Sequence, residues 1–340
     1  MANLATSWVQ VHPSFVMPEI LLQYQQVSGA FDLFATGNPL VKLGPADLAV
    51  YLKVLDIRTK VNAGQSPGNA LPSCTTTPRM ISTPTYLFRT RAKYDHHEQA
   101  ATDEWGYSTP QAQQLGMRQG VFQQLRMAAL YGVNAANGEG LLNANGATTI
   151  NLPPDSNGNT TVSTYDNGQM AFFLASLISS MKTRTMQLGA GNHFAFCMPQ
   201  RIGGMFQYQN IVQVTQFQRT GAGSMSTSGV LREIMERNED TLEWTYDDTL
   251  IGKGAGGTDA VIVTMPEVKR LKRGKLNTNT FAELTPGLDA TTLMLMDMAA
   301  PREIPTPLPG GAVDVVSELR STPGWAPRPE AVTIVSMQFQ

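Results

Sequence analysis

Four stretches of this sequence hold residue types that could do chemistry. GKGAGG (252–257) sets Gly252, Gly254 and Gly257 at the spacing of a dinucleotide fingerprint. That fingerprint works only where a helix follows at once, because the helix N-terminus holds the pyrophosphate. Here DAVIVTMP (259–266) follows, an apolar run of strand character, so the glycines read as a turn joining it to LEWTYDDTLIG (242–252). YDHHEQ (94–99) offers Asp95, His96, His97 and Glu98. Adjacent side chains oppose one another in a strand and diverge by about 100° in a helix, so neither geometry favours a chelate. No HExxH occurs, and His12 and His193 are remote, so the stretch reads as a polar turn and not a metal site. KRLKRGK (269–275) is the densest basic run, but it has no interleaved aromatic residue and adjoins Glu267. It reads as a solvated or intersubunit face more than a phosphate-binding one. Asp240, Glu243, Asp247 and Asp248 form an acidic run. On a strand Glu243 and Asp247 would share a face, but nothing near them in sequence supplies an acid–base partner. These residues predict no catalytic centre, no metal and no cofactor.

Composition points elsewhere. Of the 340 residues, 42% are hydrophobic and only 15% charged. Soluble domains average about 25% charged, and a weakly charged surface suits a subunit buried among neighbours. The net charge of −2 gives no global attraction to nucleic acid. Two cysteines, Cys74 and Cys197, without a CxxC, exclude a disulfide framework and fit a reducing compartment. The first Lys or Arg is Lys42, so the cationic start of a signal peptide is missing, and no apolar run reaches the length of a membrane span. Seventeen methionines fit either a tolerant core or surfaces that repack in different environments.

The elements follow from periodicity. Ile20, Leu21, Tyr24 and Val27 have helical spacing in an otherwise loop-like arm. LDIRTKV (55–61) and YLFRTRAKY (86–94) both alternate with period two, which predicts an extended hairpin with a long, proline-rich tip. An isolated hairpin is marginal in water, so contacts from another subunit should complete it. Arg89, Arg91 and Lys93 share one strand face and, with Arg58 and Lys60, are suited to an acidic neighbour across an interface. Ser108 or Thr109 caps a long helix with Pro110 in its first turn, an apolar stripe through Leu115, Phe122, Leu125 and Ala129, and Gly132 at its end. Gly116 and Gly120 inside it predict close approach by another backbone. Next come a loop, YGVNAANGEGLLNANG (131–146), and a second helix through Met170, Phe173, Leu174, Leu177 and Met181. HFAFCMP (193–199) reads as a buried strand and RIGGMFQYQ (201–209) as a helical piece. VDVVSELRS (313–321) and AVTIVSMQF (331–339) alternate as a final strand pair. Strand–helix–strand units with antiparallel pairs at both ends make the class α+β.

This order resembles the major capsid protein of tailed double-stranded-DNA bacteriophages, with the Hong Kong-type coat fold. In that family a Gly-Leu-Leu-Asn motif often follows the long spine helix, matched here by Gly140, Leu141, Leu142 and Asn143. MAFFLASLISSMKTRT, FAFCMP and QRIGGMF are similar to the helix, proline-terminated strand and helical turn that come next. The aromatic residue that some relatives carry just after that proline is missing after Pro199. The resemblance implies an N-terminal arm at 1–45, an extended loop at 46–105, a peripheral domain at 106–165, an axial domain at 166–290 and, at 291–340, strands that return to the peripheral domain. It implies hexamers and pentamers forming an icosahedral shell around double-stranded DNA, assembled in the bacterial cytoplasm, held without sequence-specific contact or membrane. A portal and a separate scaffold or cement protein would be its partners. Leu141 and Leu142 would anchor the turn off the spine helix. Three alternatives stay open: an encapsulin-type compartment shell, a tail-tube subunit, and an enzyme using GKGAGG or the acidic run.

Overall fold

The computed structural model describes residues 28–35, 43–59, 74–103, 108–185, 191–207, 226–267 and 293–340. The expected arm helix at 20–27, Lys60 and the basic run 269–275 lie outside the described residues.

The extended hairpin is present, but with a different second strand. β1 (Ala49–Thr59) pairs antiparallel with β2 (Cys74–Pro84) in continuous register from Ala49↔Pro84 to Thr59↔Cys74. The sequence CTTTPRMISTP hides this strand because Pro78 and Pro84 read as breakers. In a two-stranded sheet both strands are edges, and an edge accepts proline where the missing N–H would face outward. Eleven residues per strand at about 3.3 Å each give a ribbon of roughly 36 Å. Val50, Leu52 and Ile81 hold its base against Leu43, Leu295 and Trp325.

The second expected strand, β3 (Tyr86–Tyr94), instead joins β9 (Val313–Ser321), which also pairs with β8 (Arg302–Pro307), in the order β3-β9-β8. β9 buries Val315, Ser317, Leu319 and Ser321 on alternate positions, the period-two signature of a sheet covered on one face. β8 is exposed along its whole length. Pro305 and Pro307 leave its outer edge without two donors, which blocks strand addition there.

The third sheet has the order β4-β10-β7-β5-β6, from β4 (Thr148–Asn151), β5 (His193–Met198), β6 (Thr241–Tyr246), β7 (Asp259–Thr264) and β10 (Val332–Met337). All of β7 and β10, and all of β5 but His193, are buried. Strands covered on both faces read as unbroken apolar runs, while the edge strands β4 and β6 alternate. Two expected neighbours are corrected. β5 lies between β6 and β7, and β10 pairs with β7 and β4 and not with β9. The long crossover from β5 to β6 makes them parallel and puts β6 at the edge.

Helices α1 (His96–Asp103) and α2 (Thr109–Tyr131) follow β3, and α3 (Asn167–Thr185), α4 (Gln200–Gln207) and α5 (Thr227–Arg237) flank the larger sheet. α3 packs on α5, and α2 lies against β3. LREIMER (231–237) forms most of α5, which Ser226 caps by accepting from the Gly229 N–H at 3.2 Å. The stripe foreseen on α2 holds at Leu125 and Ala129 but not at Leu115 and Phe122, which stay 38% and 39% exposed. Met117 is buried instead. No atom lies within 4 Å of a Cβ built on Gly116 or Gly120, so no described backbone of this chain packs on that pair. Among the described residues no helix is long and apolar enough to cross a membrane.

Candidate functional site

The loop after α2 is built around backbone-to-backbone contact. Gly132 ends the helix with φ 72° and ψ 177°, and Gly140 follows with φ 80° and ψ 152°. Both angles fall in a region essentially reserved for glycine. A Cβ on Gly140 would stand 2.2 Å from the Gly132 nitrogen, and one on Gly132 would stand 2.5 Å from the Glu139 carbonyl oxygen. Gly324, next to β9, closes the knot: Gly140 N–H donates to its carbonyl at 2.9 Å, and its own N–H donates to Ala128 O at 3.1 Å. The Asn143 side-chain amide donates to Tyr131 O at 2.7 Å and to Glu139 O at 3.3 Å. Leu141 is fully buried in the main core, and Leu142 packs against that core from a half-buried position. The motif thus ties the end of the long helix to the β9 region and to the core.

Sequence reasoning missed Glu139. It is 4% exposed, and its carboxylate accepts four hydrogen bonds. Asn134 N–H at 2.8 Å and Val133 N–H at 3.3 Å reach Oε2; Tyr86 O–H at 2.8 Å and the Asn137 amide at 3.1 Å reach Oε1. A buried carboxylate is stable only when so saturated. The signal was a lone acid inside an uncharged Gly/Asn loop. Burial, and then the hydrogen bond to Glu139, push the Tyr86 phenol up to about 12. The folded chain therefore keeps a proton that the unfolded chain loses near pH 10, so this contribution is complete below pH 10 and is lost as pH rises to about 12. In a spectrophotometric tyrosine titration, Glu139→Gln should move one phenol part of the way back to its ordinary value. No movement would exclude the contact.

The basic face of β3 finds its acids within the chain. Arg91 grips Asp314 of β9 with two bonds of 2.8 and 2.6 Å, and Arg89 lies 3.4 Å from Glu318, which also meets Arg302 at 3.5 Å. Lys93 stands opposite Asp314 in register, and Arg58 stands in β1 opposite Thr75. β1 pairs with β2 and β3 with β9, so no sheet joins Arg58 to the β3 face.

The acidic run disperses. Asp240 pairs with Lys182, and Glu243 lies 3.3 Å from His193. Asp248 accepts from the first amide of α4, Gln200 N–H, at 2.7 Å. Asp247 lies past the end of β6, fully buried, and does not share a strand face with Glu243. GKGAGG spans the step across β5 from β6 to β7, and no helix follows it. His96 and His97 open α1 with ring centroids 3.9 Å apart, and Asp95 meets His96 Nδ1 at 2.7 Å. Among the described residues no three potential ligands cluster as a metal site.

The remaining feature is the ribbon. Tyr51 and Met80 lie on the face turned away from Trp325, each 66% exposed, and Leu48 at its foot is 76% exposed. No family model and no curated protein matches the sequence. Solved structures do match along nearly the whole chain. The capsid of Myoviridae phage XM1 aligns at TM-score 0.65 and 14% identity, covering 95% of this chain and 96% of that one. The chain has the phage coat fold. The capsid of an empty GTA particle aligns at 0.58 with 12% identity, covering 96% of this chain and 95% of that one. The capsid of cyanophage P-SCSP1u aligns at 0.53 with 10% identity, covering 96% and 93%. α2 is the longest helix described in this chain, and Gly140–Asn143 follows its end after a short loop.

Proposed function

We propose that this chain is the major capsid protein of a tailed phage, a structural and non-enzymatic subunit. Many copies form hexamers and pentamers of an icosahedral shell around packaged double-stranded DNA. The observation that carries this reading is the ribbon β1–β2: a long two-stranded sheet with apolar residues on its uncovered face. Such a ribbon does not hold alone in water, and a neighbouring subunit supplies the missing cover. The low charge fits repeated interfaces, where stability comes from area multiplied by symmetry.

In this reading residues 1–45 form the arm and the ribbon forms the extended loop within 46–105. Residues 106–165 with β8 and β9 form the peripheral domain, and 166–290 build the axial domain, joined by β10. Assembly takes place in the host cytoplasm, with a portal and a separate scaffold or cement protein.

Electron microscopy of the expressed chain, alone and with the scaffold from its gene neighbourhood, tests the reading. Closed shells or capsomer rings are expected. Stable monomers under both conditions would overturn it, and a shell purified with a protein cargo instead of DNA would favour a compartment. The double variant Tyr51→Glu, Met80→Glu should keep its thermal midpoint, since both side chains are exposed, yet form no shells. Normal shells from that variant would remove the ribbon from the interface.

A further inference from the structure

The open face of the three-stranded sheet carries more cations than acids. Residues directly opposite one another in paired strands share a face, and the register sets out three rows across β3, β9 and β8. The rows are Arg89–Glu318–Arg302, Arg91–Val316–Ile304 and Lys93–Asp314–Thr306. The alternate residues Phe88, Val315 and Leu319 are buried on the other face, where α2 lies. Each acid of the open face is shared. Glu318 lies 3.4 Å from Arg89 and 3.5 Å from Arg302. Asp314 accepts two bonds from Arg91, at 2.8 and 2.6 Å, and has Lys93 opposite it. The hydrogen bonds from Arg91, with the charge of Lys93 added, hold the Asp314 carboxyl below its ordinary range, so it stays ionised. In these rows Arg89, Arg91, Lys93 and Arg302 therefore face only Glu318 and Asp314, and two positive charges are left over. Arg320 ends the same face with a further cation, tied to Asp47 O at 2.8 Å. The side chains of Arg89 and Arg91 are 63% and 64% exposed. The whole chain has a net charge of −2, so this surplus is local.

We propose that this face holds the phosphate backbone of double-stranded DNA without reading its sequence. Apolar residues occupy only the middle row, at Val316 and Ile304. A protein partner would need a water-excluding apolar core, whereas nucleic-acid interfaces are more polar and far more positive. Strand pairing fixes the cations in rows, and phosphate contacts ask for placed charge and no base-specific group. The shared acids set the strength. With half of the cations in the three rows already neutralised, about two phosphates' worth of counterions is released on contact, which makes each subunit a weak binder. Repeated over many subunits, such contacts order a packaged duplex without trapping it. The choice of DNA as partner rests on the shell reading, while the surplus charge stands on the subunit alone.

The test is fluorescence anisotropy of a labelled, mixed-sequence duplex titrated with the full chain. Binding is expected at about 50 mM salt and should weaken about tenfold by about 200 mM, the slope for two neutralised phosphates. A duplex of unrelated sequence should bind equally well. Lys93→Gln leaves the Arg91–Asp314 bridge in place, and it should weaken binding and lower the salt slope by about one. Glu318→Gln releases a cation and should do the reverse, tightening binding and raising the slope by about one. Loss of folding could not produce that second sign. A folded wild-type chain that binds no duplex at low salt would overturn the proposal, and so would variants that leave the slope unchanged. Poly-glutamate that competes as well as DNA at equal charge would give the face to an acidic protein segment instead. Shells are counted separately by microscopy, so normal shells from a chain that binds no duplex would remove this contact and leave the shell reading standing.

Discussion

Gly140→Ala is expected to leave little or no soluble, assembled protein, although it adds a single methyl group. The new Cβ would sit 2.2 Å from the Gly132 nitrogen and 2.5 Å from the Tyr131 carbonyl carbon. Both are backbone atoms at a helix end, and neither can swing aside as a side chain would. The φ of 80° adds a backbone penalty of about 1–3 kcal/mol for any residue with a Cβ. Overpacking adds about 1–3 kcal/mol more. Together these come to about 2–6 kcal/mol, which reaches the lower end of the net stability of about 5–15 kcal/mol typical of folded proteins. Relaxing the clash would also pull on the Gly324 carbonyl, and with it the register of β9. Thermal unfolding and shell yield should both collapse. By contrast Gly158→Ala, at a φ of 86° with open space around it, carries the backbone penalty alone and should still assemble. Equal behaviour of the two variants would show that the packed backbone contact is immaterial.

The second large effect is expected from Leu141→Asp. Leu141 is fully buried, and truncation to Ala alone should cost about 2–5 kcal/mol. An unpaired carboxylate there adds a desolvation penalty of several kcal/mol. The cluster that Leu141 joins is built of apolar side chains, which offer a carboxylate no hydrogen bond. Leu141→Asp should abolish assembly, whereas Leu142→Asp, whose side chain is half-buried, should retain folded subunits with reduced yield. Circular dichroism of the soluble fraction and shell counts by microscopy separate the two. Normal shells from Leu141→Asp would show that the loop is not anchored through this residue.

The sequence by itself determined several features governed by local rules. The 23-residue helix begins and ends where Pro110 and Gly132 require. The buried strand stops at Met198 before Pro199, and the paired leucines of a Gly/Asn loop include one fully buried anchor. Propensity, capping and periodicity act within a few residues, so they are legible in a linear text. Tertiary structure alone decided the pairings. β2 was hidden because proline is a breaker in an interior strand and harmless at an edge, and only the sheet says which it is. β5 entered between β6 and β7, and β10 parted from β9, because register is set by which faces find cover. The fates of the charges were likewise spatial. Asp247 met residues 28 and 126, Arg91 met residue 314, and Glu139 met Tyr86. Such contacts join positions far apart in the chain, and no spacing rule connects them before the core has closed.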